Sequence, residues 1–106
     1  SYFYRVYRKS FESSLSYTTQ KMFGEIGIYC NEIFFAMICD DTLYFQTDHI
    51  LLLEFPRNGV PYHGATIAGM ADADLLENHE LFLSLAKKSY EYKKRTSRKK
   101  RSPNKM

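Results

Sequence analysis

Three histidines, two cysteines and a scatter of carboxylates are the side chains of this 106-residue sequence that could do chemistry. His49, His63 and His79 stand on separate predicted elements, each without a second ligand at the spacing a zinc site uses. Asp72 and Asp74 have the look of a cation-binding pair, yet they precede a helical pattern and read as helix caps. Asp40-Asp41 reads as a turn. Cys30 or Cys39 beside a histidine would make a nucleophilic dyad, but thiols set among Ile and Phe in strand-like runs read as inert core residues. Gly24 and Gly27 lack the strand-turn-helix setting of a phosphate loop. No catalytic, cofactor-binding or metal-ligating residue is assigned, no cofactor is expected, and the chain reads as a non-enzyme.

Charge points to a different kind of function. The total of +3 conceals a basic end, since residues 87–106 hold ten Lys or Arg against one acid, 10 − 1 = +9. Residues 1–86 hold five bases and eleven acids, 5 − 11 = −6. A polyanion responds to the local field within a Debye length of about 8 Å, so nonspecific nucleic-acid contact would run through Lys93, Lys94, Arg95, Arg98, Lys99, Lys100 and Arg101. The bland alternative is a solvated linker.

The elements that must position these groups follow from periodicity. Phe3, Tyr7, Phe11 and Leu15 recur every four residues and predict an amphipathic helix over 4–16. Ile26, Ile28 and Cys30 alternate as in a strand, Asn31-Glu32 makes a turn, and Ile33–Cys39 is apolar on both alternating faces. One face carries Ile33, Phe35, Met37 and Cys39, the other Phe34, Ala36 and Ile38. With helices on one side, the second set is expected to meet a partner or a second copy of the chain. After the Asp40-Asp41 turn comes a strand over 43–46, then a short helix from Asp48 to Glu54 ended by Pro56-Arg57-Asn58-Gly59. A strand over 65–70 and a long helix starting at Asn78, with Leu81, Phe82, Leu85, Ala86 and Tyr90 facing the core, complete the order. The fold class is α+β with two layers: helices packed on a mainly antiparallel sheet, in the order helix, strand meander, short helix, strand, long helix. Residues 1–92 form one domain; 93–106 read as a basic, disordered tail or the start of a linker to a C-terminal domain absent from this sequence.

The segment Met22-Phe23-Gly24-Glu25-Ile26-Gly27-Ile28-Tyr29, the strand Ile33-Phe34-Phe35-Ala36-Met37-Ile38 and the run Asp41-Thr42-Leu43-Tyr44-Phe45-Gln46 resemble the N-terminal domain of the TfoX/Sxy competence-regulator family. The likeness covers residues 10–90. Met22, Phe23, Gly24, Gly27, Leu43 and Tyr44 match the family signature and read physically as fold determinants. Glu25, Glu32 and Gln46 depart from it. The resemblance implies a two-layer α+β domain that promotes expression of DNA-uptake genes alongside the cyclic-AMP receptor protein.

Taken together, the expected function is a non-enzymatic regulatory interaction domain of a bacterial protein, resembling regulators of natural competence that act with a transcription factor. The alternatives are a nucleic-acid-associated accessory protein using its basic end, and a small enzyme. A protein partner, a homodimer and nonspecific nucleic acid are the expected partners, with no membrane. Two cysteines make no disulfide framework and no apolar run approaches the roughly 20 residues of a bilayer span, so a cytoplasmic location is expected.

Overall fold

A computed structural model describes residues 17–22 and 25–101. The helix expected over 4–16 lies outside them. Among the described residues, six antiparallel strands form one sheet in the order β1-β2-β3-β4-β6-β5: β1 (Thr18–Met22), β2 (Glu25–Cys30), β3 (Ile33–Cys39), β4 (Thr42–Phe45), β5 (Arg57–Gly59) and β6 (Ala68–Ala71). Three described helices accompany it: α1 (His49–Leu52), α2 (Ala73–Glu77) and α3 (His79–Arg101). The architecture is α+β, as the periodicity indicates.

The meander is shaped by its turns. Asn31 and Glu32 have φ of 52° and 66°, and Asp40 and Asp41 have 53° and 61°. Two successive positive-φ residues give the turn whose twist matches a two-residue hairpin, and Asn and Asp tolerate that conformation better than most residues. Glu32 does not share that tolerance, so its backbone stores a cost of about 1 kcal/mol.

The pairing of β2 with β3 contains the main departure from simple alternation. Ile28 pairs with Ala36 but Tyr29 pairs with Phe34, which leaves Phe35 as an extra residue on β3. Such a bulge reverses the side-chain alternation beyond it. The two faces of β3 therefore differ from those that strict alternation predicts. Phe35, Ala36 and Ile38 all join the large core with Phe45, Phe82 and Leu85, while Phe34, Met37 and Cys39 belong to a smaller apolar cluster with Tyr44, Ala68 and Met70. The expected partner surface of Phe34, Ala36 and Ile38 is thus divided. Ala36 and Ile38 are 0% and 4% exposed, and only the half-buried Phe34, stacked 5.4 Å from Tyr29, lies on the other face.

Helix α3 seats on β3 through Phe82, Leu85, Ala86, Ser89 and Tyr90, the i, i+3, i+4, i+7, i+8 stripe of an amphipathic helix. Phe82 meets Phe45 edge-on at 5.7 Å, and Tyr90 meets Phe35 at 6.0 Å. Ser89 is the polar member of the stripe. Its hydroxyl lies 3.0 Å from the Phe35 carbonyl and 2.6 Å from the Gln46 carbonyl, and it donates its single proton to one of them at a time. The Gln46 N–H also donates to the Phe35 carbonyl at 2.9 Å, one rung beyond the Ala36–Phe45 pair of β3 and β4, so this buried carbonyl has partners on two elements.

Other boundaries differ from expectation for identifiable reasons. The 57–59 stretch, expected only as a helix terminator, adds β5 at the sheet edge, short and preceded by Pro56 in the way edges are kept from growing. Strand β6 starts at Ala68 and not at residue 65, because Ala65 N–H is engaged in a turn with the Tyr62 carbonyl. Asp72 caps α2 through Leu75 N–H at 3.0 Å, and Asn78 caps α3 through Leu81 N–H at 3.3 Å, so two helices share what reads as one loop and one helix. Residues 93–101, expected as disordered tail, continue α3 without a break as far as Arg101.

Two stability changes follow. Replacing the left-handed Glu32 by glycine should raise unfolding free energy by about 1 kcal/mol, and Ser89→Ala should lower it by about 1–2 kcal/mol by leaving a buried carbonyl less well satisfied. Urea denaturation of the two variants beside the parent chain measures both.

Candidate docking surface

Asp48 starts the surface. Its side chain accepts from Leu51 N–H at 2.7 Å and caps α1, a four-residue helix too short to stand on its own propensity. What holds it is burial: Leu51 points into the core, and Phe55 just beyond packs 5.7 Å from the Phe45 ring. With those two residues turned inward, Ile50 and Leu53 are turned outward, 64% and 83% exposed. Isolated surface apolar residues are ordinary, but Ile50 lines a concavity and Leu53 follows it three residues on. The concavity is a groove of about 300 Å³ between α1 and α3, with Leu51 and Tyr92 contributing apolar walls and Lys87, Glu91 and Arg95 on its rim. Lys88 and Glu54 tie the two helices together across it at 2.6 Å. That pair is half exposed, so it orients the helices more than it stabilises them.

The groove carries charges of both signs over an apolar floor. Asp48 and Glu54 are engaged as cap and ion-pair partner, whereas Lys87 and Arg95 stand on the exposed rim. Such a lining suits a peptide segment or a protein surface with an apolar anchor. Sequence reasoning missed this site. It depends on which faces of α1 the Leu51 and Phe55 anchors consume, and four adjacent apolar residues, Ile50 to Leu53, carry no periodic signal that says so.

The residues singled out for chemistry stay apart. His49, His63 and His79 are all exposed, on α1, the β5–β6 connection and the start of α3. Among the described residues, no group of three or more His, Cys, Asp or Glu lies close enough to hold a metal ion. Asp72 is a cap and an ion-pair partner of Arg57 at 2.8 Å; Asp74 sits in the first turn of α2. Of the signature residues, Leu43 and Tyr44 are buried and Met22 ends β1. Gly27 is buried opposite Met37, where a Cβ would come within 3.1 Å of the Tyr29 ring. Phe23 and Gly24 lie outside the described residues. Lys93 and Lys94 lie 5.9 Å from the Tyr92 and Tyr90 ring centres.

Both thiols are free. Burial pushes the Cys30 thiol above its ordinary 9.0, against the opposing pull of the Lys94 ammonium. Burial also raises Cys39, helped by the negative charges of Glu25 and Asp40. A thiol held protonated is a poor nucleophile. Because both folded-state values are raised, the stability these groups contribute is intact below about 9 and is lost as pH climbs through the folded-state values. Stability measured by denaturant titration should accordingly fall between pH 8.5 and 10.5 in the parent by more than in Cys30→Ala/Cys39→Ala (both pH limits bracket that roughly 9). At pH 8 a disulfide reagent should label the native thiols at least about tenfold more slowly than the unfolded ones; rapid labelling of native Cys30 would contradict its burial.

Among the described residues, no helix is long and apolar enough to cross a membrane. No curated protein matches the chain. The family model of the TfoX N-terminal domain matches residues 9–93, a span that takes in the whole described sheet, α1, α2 and the core-facing part of α3. A match over that much of the chain places this protein in the TfoX N-terminal domain family.

Proposed function

We propose that this domain is a regulatory module that docks onto a transcription regulator of DNA-uptake genes through the groove between α1 and α3. The family is associated with competence-related regulation and is not known for enzymatic activity. The observation that carries the docking reading is exposed Ile50 on the wall of the groove, with exposed Leu53 next along the chain, both turned outward by the burial of Leu51 and Phe55. A partner that covers Leu53 gains about 2 kcal/mol from that side chain. The basic rim at Lys87 and Arg95 favours an acidic margin on the partner and speeds encounter.

The raised thiols support the same reading by leaving the cysteines as packing groups. Binding would select a partner and hold it, with no bond made or broken in this chain.

Leu53→Asp tests the proposal, since Leu53 is exposed and its replacement leaves the core intact. Calorimetric titration against the purified cyclic-AMP receptor protein of the same cell should show binding by the parent chain and at least about tenfold weaker binding by the variant, with a matching fall in a DNA-uptake gene reporter. Equal binding by the two chains would move the docking surface elsewhere, and no binding by the parent would remove this partner.

A further inference from the structure

We propose that the groove between α1 and α3 receives an amphipathic helix of the partner, one that carries an acid, a base and an acid at four-residue intervals beside an apolar anchor. This rests on the docking reading of the same groove and adds what the partner must present. On the α3 wall, Lys87, Glu91 and Arg95 line the groove at positions i, i+4 and i+8. Successive members stand about 6 Å apart along the helix axis, so the row covers about 12 Å. All three are exposed. The ion pairs among the described residues are Arg57 with Asp72 and Lys88 with Glu54, which leaves this row of alternating sign uncommitted.

That alternation decides what kind of molecule fits. The lining holds three bases, Lys87, Lys88 and Arg95, and three acids, Asp48, Glu54 and Glu91, so its charges sum to zero, 3 − 3 = 0. A nucleic acid or an anionic lipid surface gains at Lys87 and Arg95 and loses at Glu91 between them. A partner charged in the reverse order gains at all three. Both walls are helices, whose backbone groups are engaged in their own hydrogen bonds. An extended segment lying there would turn N–H and C=O groups toward walls that offer none in return. A helix arrives with its backbone already satisfied and displays residues four apart on one face, the spacing of the row on α3. The acid-base-acid order is the same read from either end, so it serves a helix of either direction. Leu51 and Tyr92, with the exposed Ile50 beside them, take the apolar anchor. Since exposed ion pairs contribute little each, the anchor supplies affinity and the row supplies selection.

Three synthetic peptides of about 15 residues, long enough to hold helix, test this on the full chain by amide chemical-shift titration. Each carries two leucines on one face. Beside them the first has Glu-Lys-Glu at four-residue spacing, the second Lys-Glu-Lys, and the third, with the composition of the first, Glu-Glu-Lys. At about 10 mM salt the first should bind at least about fivefold more tightly than either of the others, with the shifts centred on α1 and residues 87–95, and the margin should narrow at about 150 mM. K87E/E91K/R95E, which keeps the Lys88–Glu54 tie and the core, should reverse the preference toward Lys-Glu-Lys. Equal binding of the first and third peptides, shifts centred elsewhere, an unreversed preference in the folded variant, or no binding below about 1 mM would each overturn the proposal. The comparison of peptides on the parent chain stands even where the variant does not fold. Failure here, with the cyclic-AMP receptor protein still bound in a Leu53-dependent way, removes the helix and keeps the docking reading; the helix preference without receptor binding removes that partner and keeps the helix.

Discussion

The contact between Ser89 of α3 and the bulged carbonyl of Phe35 is the point on which the rest of the structure turns. A buried backbone carbonyl must find its partners away from water. Here the partners come from the chain after β4, through Gln46 N–H, and from α3, through the Ser89 hydroxyl. The same bulge turns Phe35 toward the helix side, where it packs against Tyr90. One irregularity thus sets the register at which α3 lies on the sheet, and Asn31 adds to it by donating to the Tyr90 hydroxyl at 3.0 Å. Shifting α3 by one turn would strip the partner from Phe35 and misplace Phe82 against Phe45.

The docking groove depends on that seat. The groove exists because α3 runs past α1 at a fixed spacing, bridged by Lys88 and Glu54. The same helix continues from its buried root as far as Arg101. A small domain of this kind acts by presenting groups on a rigid frame: exposed Ile50 on the wall of the groove, and the alternating charges of α3 along it. The acidic residues 1–86 and the basic end of the sequence divide the charge along the chain, which favours partners of opposite sign at the two parts.

Much of this frame was legible in the residues. The meander, its two tight turns, the Asp48 and Asn78 caps and the Phe82-Leu85-Ala86-Tyr90 stripe follow from local rules of periodicity and capping. The bulge does not, because Phe34-Phe35 offers two equivalent aromatics and nothing local says which is the extra residue. That one-residue irregularity is enough to misassign a face, which is why Ala36 and Ile38 read as surface and are core. Ser89 escaped notice for a related reason: it occupies an apolar-stripe position, and its role appears only once the carbonyls of Phe35 and Gln46 are seen opposite it. The continuation of α3 ran against composition, since a Lys- and Arg-rich run repels itself. The helix already propagating from a packed root, and the dipole that favours cations at a helix C-terminus, act the other way.

The continuity of α3 is the claim most directly open to measurement. Backbone carbon chemical shifts of the intact chain in solution should show one unbroken helical run from His79 to Arg101, with the slowest amide exchange around Phe82 to Tyr90, where the helix meets the bulge. Random-coil shifts beginning at Lys93, or fast exchange through the Ser89 turn, would contradict the account.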